Sequence, residues 1–467
     1  MLKIFPLTLF LMIFVAPGNA QKIPAAKIDN YVKAEMRKQQ IPGISLAILR
    51  NGKIVLLRSY GLANIEHRVP VKPETVFQSG SIGKQFTAAA VMILVQDGKL
   101  SLDDHLAKFF PDVPASWSNI TVRHLLNHTS GLGDYPPEIE LQRTYTEEQM
   151  FAAFKRAPLQ FAPGTGWDYS NAGYATLGFL IRKVTGKFYG DFLEERIFRP
   201  LGMTTARVIS EADIIPNRAA GYRLVDGRLK NPEWVSPTTN STADGSLYLT
   251  VLDLAKWDAA LFTDSLLQPT SRELIWTQTR LENGRLKPYG FGWHTNVIHH
   301  HRLVFHGGAW QGFKSSIVRV LDDRTTIIFL ANSWATNDFK LTRGLLAVLY
   351  TPFALPPVEP IPDNESKLSA LARRVLLDLS KGTINSDLVT PELRQQLTPE
   401  KLKQLSDKIN AVSLPVAVIH LSELTESREA NGLRIHKYLL TDIGESLSAT
   451  VTFTKENKIA RVELSEL

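Results

Sequence analysis

The chain has 467 residues, 44% of them apolar, enough to bury a large core in two or three domains. Lys plus Arg number 53 against 46 Asp plus Glu, a net charge of +7. The basic residues are scattered rather than blocked, which argues against a nucleic-acid partner, and the absence of cysteine excludes disulfides, thiolate metal sites, lipid-modified cysteine and a cysteine nucleophile.

The first twenty residues, MLKIFPLTLFLMIFVAPGNA, carry one early Lys, an apolar run from Ile4 to Val15 and a small-residue ending at Gly18-Asn19-Ala20. They read as a cleaved signal peptide over 1–20, since the run is shorter than the 18 or more apolar residues of a spanning helix. The mature protein is then expected to be exported, periplasmic or secreted, with no membrane span. An amphipathic helix follows through Ile28, Tyr31, Val32, Glu35 and Met36, and Pro42-Gly43 ends it. Gly43 to Leu49 and Lys53 to Tyr60 flank Asn51-Gly52, the strongest hairpin signal in the chain.

From Ser81 a run apolar nearly all round predicts a buried helix that Asp97-Gly98 stops. Further helices are expected at Val122 to His128, Glu147 to Arg156, Gly173 to Val184 and Leu252 to Leu261. Loops rich in Gly, Pro, Ser and Asn separate them. Strands are expected at Leu303 to His306, Lys314 to Leu321 and Thr325 to Ala331, rejoining the early hairpin in one sheet. Residues 351–366 hold five prolines and read as an extended linker. The tail, 367–467, offers two helices (Lys367 to Ser380, Pro399 to Ile409) and strands near 412–422, 433–441, 447–454 and 458–464, a small α+β module.

Three short segments carry chemistry. Ser81-Ile82-Gly83-Lys84 sets a hydroxyl at a helix start and an amine one turn on, on the same face. A serine nucleophile needs a base, and lysine serves when burial lowers its pKa. The Ser81 amide, at the start of the helix, is an oxyanion donor. Tyr169-Ser170-Asn171 follows a Pro-Gly turn just before another helix, offering a phenol as phenolate or proton relay and an amide for the acyl side of a substrate. His306-Gly307-Gly308 ends a strand-like run where glycine lets a substrate backbone approach, and the Ala309 amide is the second oxyanion donor.

Taken together, Ser81/Lys84, Tyr169/Asn171 and His306/Gly308, with GSIGKQFTAAAVMILVQDGKLSLDD, ITVRHLLNHTSGL and PGTGWDYSNAGYATLG around them, resemble the serine β-lactamase and penicillin-binding-protein superfamily. The likeness falls on its class C β-lactamase and D,D-carboxypeptidase side and covers roughly residues 25 to 345. It implies a mixed α/β fold over 21–350: helices flanking an antiparallel sheet, an all-helical subdomain, and a cleft between them. It also implies that Ser81 attacks a carbonyl, Lys84 and Tyr169 shuttle protons, Asn171, His306 and Gly308 bind substrate, and the amides of Ser81 and Ala309 hold the oxyanion, with no cofactor and no metal. His306 stands where many of these β-lactamases have the Lys of K-T-G. A permanent cation suits a carboxylate whereas His is only partly charged near neutral pH, so efficient penicillin hydrolysis is not expected and neutral esters or amides are equally good substrates. The substrate is a small molecule or peptide, with cell-wall fragments among the options. A non-catalytic ligand-binding or sensor protein is the alternative, and the oligomeric state stays open.

Other chemistry-bearing residues read as structural. His124 and His128 have a zinc-like spacing, but no Glu follows the first and no third ligand is evident, so packing or capping is expected. His299 to His301 read as an exposed strand end, and Asp103-Asp104 and Glu194-Glu195 as solvated faces. Trp167 and Trp310, beside the motifs, are the tryptophans placed to line the cleft.

Overall fold

The computed structural model describes residues 23–353, 361–412, 421–441 and 446–466. The expected signal peptide and the centre of the proline-rich linker lie outside them. After helix α1 (Ala25–Gln39) come strands β1 (Gly43–Arg50) and β2 (Lys53–Asn64), a hairpin whose turn residues Asn51 and Gly52 both take positive φ (49° and 72°), the turn hand that matches strand twist. A short strand β3 (Val69–Pro70) edges the hairpin. Much later in the chain come β4 (His294–Ile298), β5 (His301–Trp310), β6 (Phe313–Val320) and β7 (Thr325–Ala331). The sheet runs β4-β5-β6-β7-β1-β2-β3, every neighbour antiparallel, with Ile44 opposite Ala331 and Arg50 opposite Thr325 where the two sequence halves meet.

Both faces of this sheet are covered, which is why β1 reads as an almost unbroken apolar run rather than an alternating one. Ile44, Leu46 and Ile48 point into one core with Ile28 and Val32 of α1 and Leu341 and Leu345 of a late helix, Asp338–Leu349. Ala47 and Leu49 point into the other, with Phe86 and Val91 of helix α2 (Gly83–Gln96) and most of the helical region. That region holds α3 (Val122–Leu126), α4 (Glu147–Arg156), α5 (Asn171–Thr185) and α6 (Val251–Ala260). It also carries short strands, Arg223–Val225 against Arg228–Lys230 and Leu247–Leu249 beside Phe77–Gln78.

Several boundaries differ from expectation for local reasons. Ser81 lies in a 3-10 turn, Gly80–Ile82, that precedes α2 rather than within its first turn. Helix α3 stops at Leu126 because His128 turns left-handed, at φ 63°. Strand β5 runs on through Gly307 and Gly308 instead of ending at His306, since both pair with β6. The helix at Asp338–Leu349 was not anticipated. In the tail, helices α8 (Ser366–Ser380) and α9 (Pro399–Val412), numbering that late helix α7, pack Val375, Leu379 and Ile409 on Tyr438, Val451 and Phe453 of a four-stranded antiparallel sheet. Its first strand is Leu421–Ala430; of the strand expected near 412–422, residues 413–420 lie outside the described residues.

A buried ion pair joins sheet to helical layer. Arg319 of β6 donates to Asp258 of α6 at 2.7 Å, both side chains fully inaccessible, and Thr326 donates to the same carboxylate oxygen at 2.8 Å. Burial outweighs the partner on each side, raising the Asp258 pKa and lowering that of Arg319. Breaking such a pair leaves an uncompensated charge in a dry core. Arg319→Met is therefore expected to cost about 3–5 kcal/mol in urea unfolding, and adding Asp258→Leu to recover most of it. A single-variant loss below about 1 kcal/mol would show that the pair is not electrostatically isolated.

Candidate active site

The turn that bears Ser81 is wedged between β5 and the 245–247 segment. Ser79 N donates to Leu247 O at 2.9 Å, Ser79 Oγ to Gly245 O at 2.9 Å, and Ser315 Oγ to Ser79 O at 2.6 Å. Two glycines permit the approach. Gly80, at φ 50°, would bring a Cβ to 2.4 Å from Ala309 N, and a Cβ on Gly308 would sit 2.0 Å from Ser79 O. The chain around the nucleophile candidate is thereby pressed against Ala309, the other expected oxyanion donor.

Lys84 lies fully buried in the first turn of α2. Its Nζ is 3.3 Å from Ser81 Oγ, 2.7 Å from Asn171 Oδ1 and 2.5 Å from Asp244 O. A neutral amine has two N–H groups for the two carbonyl oxygens and a lone pair left for the Ser81 hydroxyl. Burial pulls the Lys84 pKa down to about 8, against the opposing pull of the Asp244 and Asp134 carboxylates. About one molecule in ten then holds the neutral amine at pH 7.

Tyr169 sits just before α5, where Ser170 caps the helix by accepting from Gly173 N at 2.8 Å and donates to Gly133 O at 2.7 Å. The Lys84 ammonium position is 4.8 Å from the Tyr169 ring centre. Burial holds the phenol pKa well above its ordinary value, with the Ser81 hydroxyl acting in the opposite sense; the phenol oxygen is buried and closes no full hydrogen bond. Of the two forms expected for Tyr169, the neutral phenol is the one this environment stabilises.

His306 departs from expectation. It is 3% exposed, its Nδ1 lies 2.6 Å from Gly307 O and its Nε2 3.0 Å from the Tyr289 hydroxyl. A carbonyl cannot donate, so the proton is on Nδ1, and Nε2 accepts from Tyr289. Burial pulls its pKa down to about 3, with the Gly307 carbonyl opposing. The partial charge expected near neutral pH is absent, because the ring faces inward against Tyr289 and His294 rather than solvent. Asn171 is likewise engaged: Oδ1 accepts from Lys84, and Nδ2 donates to Asp134 Oδ1 at 3.0 Å.

Next to Ser81 opens a cavity of about 290 Å³, lined among others by Asp134, Tyr135, Asn171, Asp244 and Trp310. Two carboxylates and no basic side chain line it, and Tyr135 donates to Asp244 Oδ1 at 3.1 Å. Sequence reasoning did not find Asp134, Tyr135 or Asp244. They come from loops with no motif spacing, and only the tertiary fold brings them to Ser81. Of the two tryptophans, Trp310 lines this cavity, held by donation to Asn240 Oδ1 at 2.6 Å, whereas Trp167 lines a separate groove shared with Ser406 and Asp407 of α9. Among the described residues no group of three or more His, Asp or Glu is disposed to hold a metal. His124 caps α3 against Thr121, and His128 is not on that helix at all.

The Beta-lactamase family profile matches residues 28–350. Penicillin-binding protein 4* of Bacillus subtilis (strain 168) is 31% identical over 321 residues, 65% of this chain and 70% of its own. A D-aminopeptidase of Gluconobacter oxydans (strain 621H) is 25% identical over 419 residues, covering 87% of this chain and 76% of its own. An octameric penicillin-binding protein homologue from Pyrococcus abyssi superposes with a TM-score of 0.63 at 24% identity, over 95% of this chain and 98% of its own, which extends the shared fold through the tail module. With a family match spanning most of its length and the Ser81-Lys84 pair inside the matched region, the chain belongs to the Beta-lactamase family.

Proposed function

We propose that this chain is an exported serine hydrolase that cleaves amides or esters through an acyl-enzyme on Ser81, with acyl donors that carry a free amine. The observation that carries the reading is the buried Lys84 amine, 3.3 Å from Ser81 Oγ with its pKa drawn down to about 8. A protein that only captured ligands would gain nothing from a base poised on a hydroxyl. Export rests on the character of residues 1–20. No helix among the described residues is long and apolar enough to cross a membrane.

In the proposed cycle neutral Lys84 takes the Ser81 proton as Oγ bonds to the substrate carbonyl carbon, and the amides of Ser81 and Ala309 hold the oxyanion. The proton passes by way of the Tyr169 phenol to the leaving amine or alkoxide as the scissile bond breaks. Water, deprotonated by Lys84, then attacks the acyl carbonyl carbon, releasing the acid and returning the proton to Ser81 Oγ. Neutral His306 offers no cation to a substrate carboxylate, which weighs against efficient penicillin hydrolysis. Asp134 and Asp244 line the cavity beside Asn171 and suit an ammonium on the acyl side, a chemistry that fits the D-aminopeptidase relative.

The test compares p-nitroanilides of free and N-acetylated alanine, in both hands. A charge-assisted hydrogen bond worth about 1.5–3 kcal/mol predicts at least a tenfold advantage in kcat/KM for the free amine, reduced in Asp134→Asn and Asp244→Asn. Equal turnover of both substrates by all three proteins would remove the ammonium from the reading.

A further inference from the structure

Outside the groups assigned above, one residue carries two structural costs with no obvious return. His128 is a non-glycine residue at φ 63°, in the left-handed region that side chains seldom occupy. Its Nδ1 lies 3.0 Å from Ser170 N, and an amide only donates, so Nδ1 must accept and the proton sits on Nε2. That Nε2 is buried with no hydrogen-bond partner. A residue kept for packing alone would be better served by an apolar side chain, and the turn by glycine or asparagine.

What His128 does touch is the segment around Tyr169, on both sides. Its carbonyl accepts from Asp168 N at 3.1 Å, its ring nitrogen accepts from Ser170 N, and its ring packs on the Tyr169 ring at 4.4 Å between centres, tilted by 37°. The residues before and after the phenol are therefore tied to one residue, and the phenol itself lies against that residue's ring. The left-handed turn is what lets the carbonyl and Nδ1 of one residue reach amides two positions apart on a neighbouring segment. Strain concentrated at one residue beside a reacting group is typical of functional positioning.

From this the geometry points to His128 as a positioning residue that holds the Tyr169 phenol in register with Ser81 through an acceptor at Nδ1. The inference rests on the acyl-enzyme reading above, in which Tyr169 delivers a proton to the leaving group. A phenol out of register then penalises poor leaving groups, which need that proton, and spares good ones, which do not.

The experiment uses His128→Asn and His128→Gly in the full chain, with a p-nitroanilide and a p-nitrophenyl ester of the same acyl group. Both replacements tolerate positive φ, but only asparagine offers an oxygen close to the place of Nδ1. The glycine variant is expected to lose about 100-fold in kcat on the anilide with KM little changed, and less than tenfold on the ester. Asparagine is expected to restore the anilide rate to within about tenfold of the parent. If glycine does not fold at the assay temperature, all three proteins are compared at a lower temperature at which it does. Equal losses on anilide and ester, or equal losses in the asparagine and glycine variants, would make His128 a merely structural residue and overturn the inference. An unimpaired anilide rate in the glycine variant would do the same. Ser81-dependent ester turnover in these variants separates that failure from a failure of the acyl-enzyme reading, since the ester needs Ser81 but not an aligned phenol.

Discussion

Ser81→Ala is expected to fold as the parent does and to lose at least about 10⁴-fold in kcat, the scale seen when a hydrolase loses its nucleophile. Folding is spared because Ser81 Oγ makes one hydrogen bond, with Lys84 Nζ, while the turn is held by Ser79, Gly245, Leu247 and Ser315. The measurement is kcat on the p-nitrophenyl ester together with the thermal midpoint. A variant that keeps more than about one hundredth of the rate would move the nucleophile elsewhere.

The next largest effect is at Lys84. Removing the base with Lys84→Met is expected to lower kcat/KM by about 10³-fold, within the range for loss of a general base. The pH dependence carries the sharper information. Burial lowers the Lys84 pKa to about 8, so the reactive neutral form is scarce below that value and complete above it. Activity should therefore rise about tenfold per pH unit up to pH 8 and then level off. The sign is set by desolvation: a buried ammonium is disfavoured, whereas a solvated lysine would place the rise near pH 10. In Lys84→Met the inflection should vanish along with the rate. A flat profile between pH 6 and 9 in the parent, or the same inflection in the variant, would assign the base to another group.

The pairing of Ser81 with Lys84 was legible because it is local: three residues along a helical path bring two side chains to one face whatever the rest of the fold does. The Asn51-Gly52 hairpin was legible for the same reason, as its turn geometry is a property of two residues. The charge of His306 was not legible, since it depends on Tyr289 and His294 enclosing the ring, and nothing near residue 306 in sequence reports that enclosure. Asp134 and Asp244 escaped notice because neither sits in a spaced motif. Their meeting at Ser81 follows from the Tyr135 to Asp244 hydrogen bond and the Asn171 to Asp134 contact, both long-range.

Of the other misses, one had a clear signal in the sequence and one had little. Asn337 ahead of Leu341, Leu345 and Leu346 is a helix start with an apolar stripe, and in the structure Asn337 Oδ1 accepts from Lys340 N at 2.9 Å. The strand Leu421–Ala430 is polar along most of its length because it edges its sheet, pairing on one side only, so apolar alternation was weak there. His128 looked like half of a zinc-spaced pair while α3 was expected to reach it; the left-handed turn that ends the helix is what redirects it to Tyr169.

An acylating serine at position 81 is read out by intact mass of residues 21–467 and of the Ser81→Ala variant after brief exposure to a fluorophosphonate ester probe and to a penicillin. An acylating Ser81 gives a single probe adduct on the parent and none on Ser81→Ala; a penicillin adduct that persists would mark slow deacylation of a β-lactam. An adduct that survives in Ser81→Ala, or no adduct from either reagent on the folded parent, would contradict it.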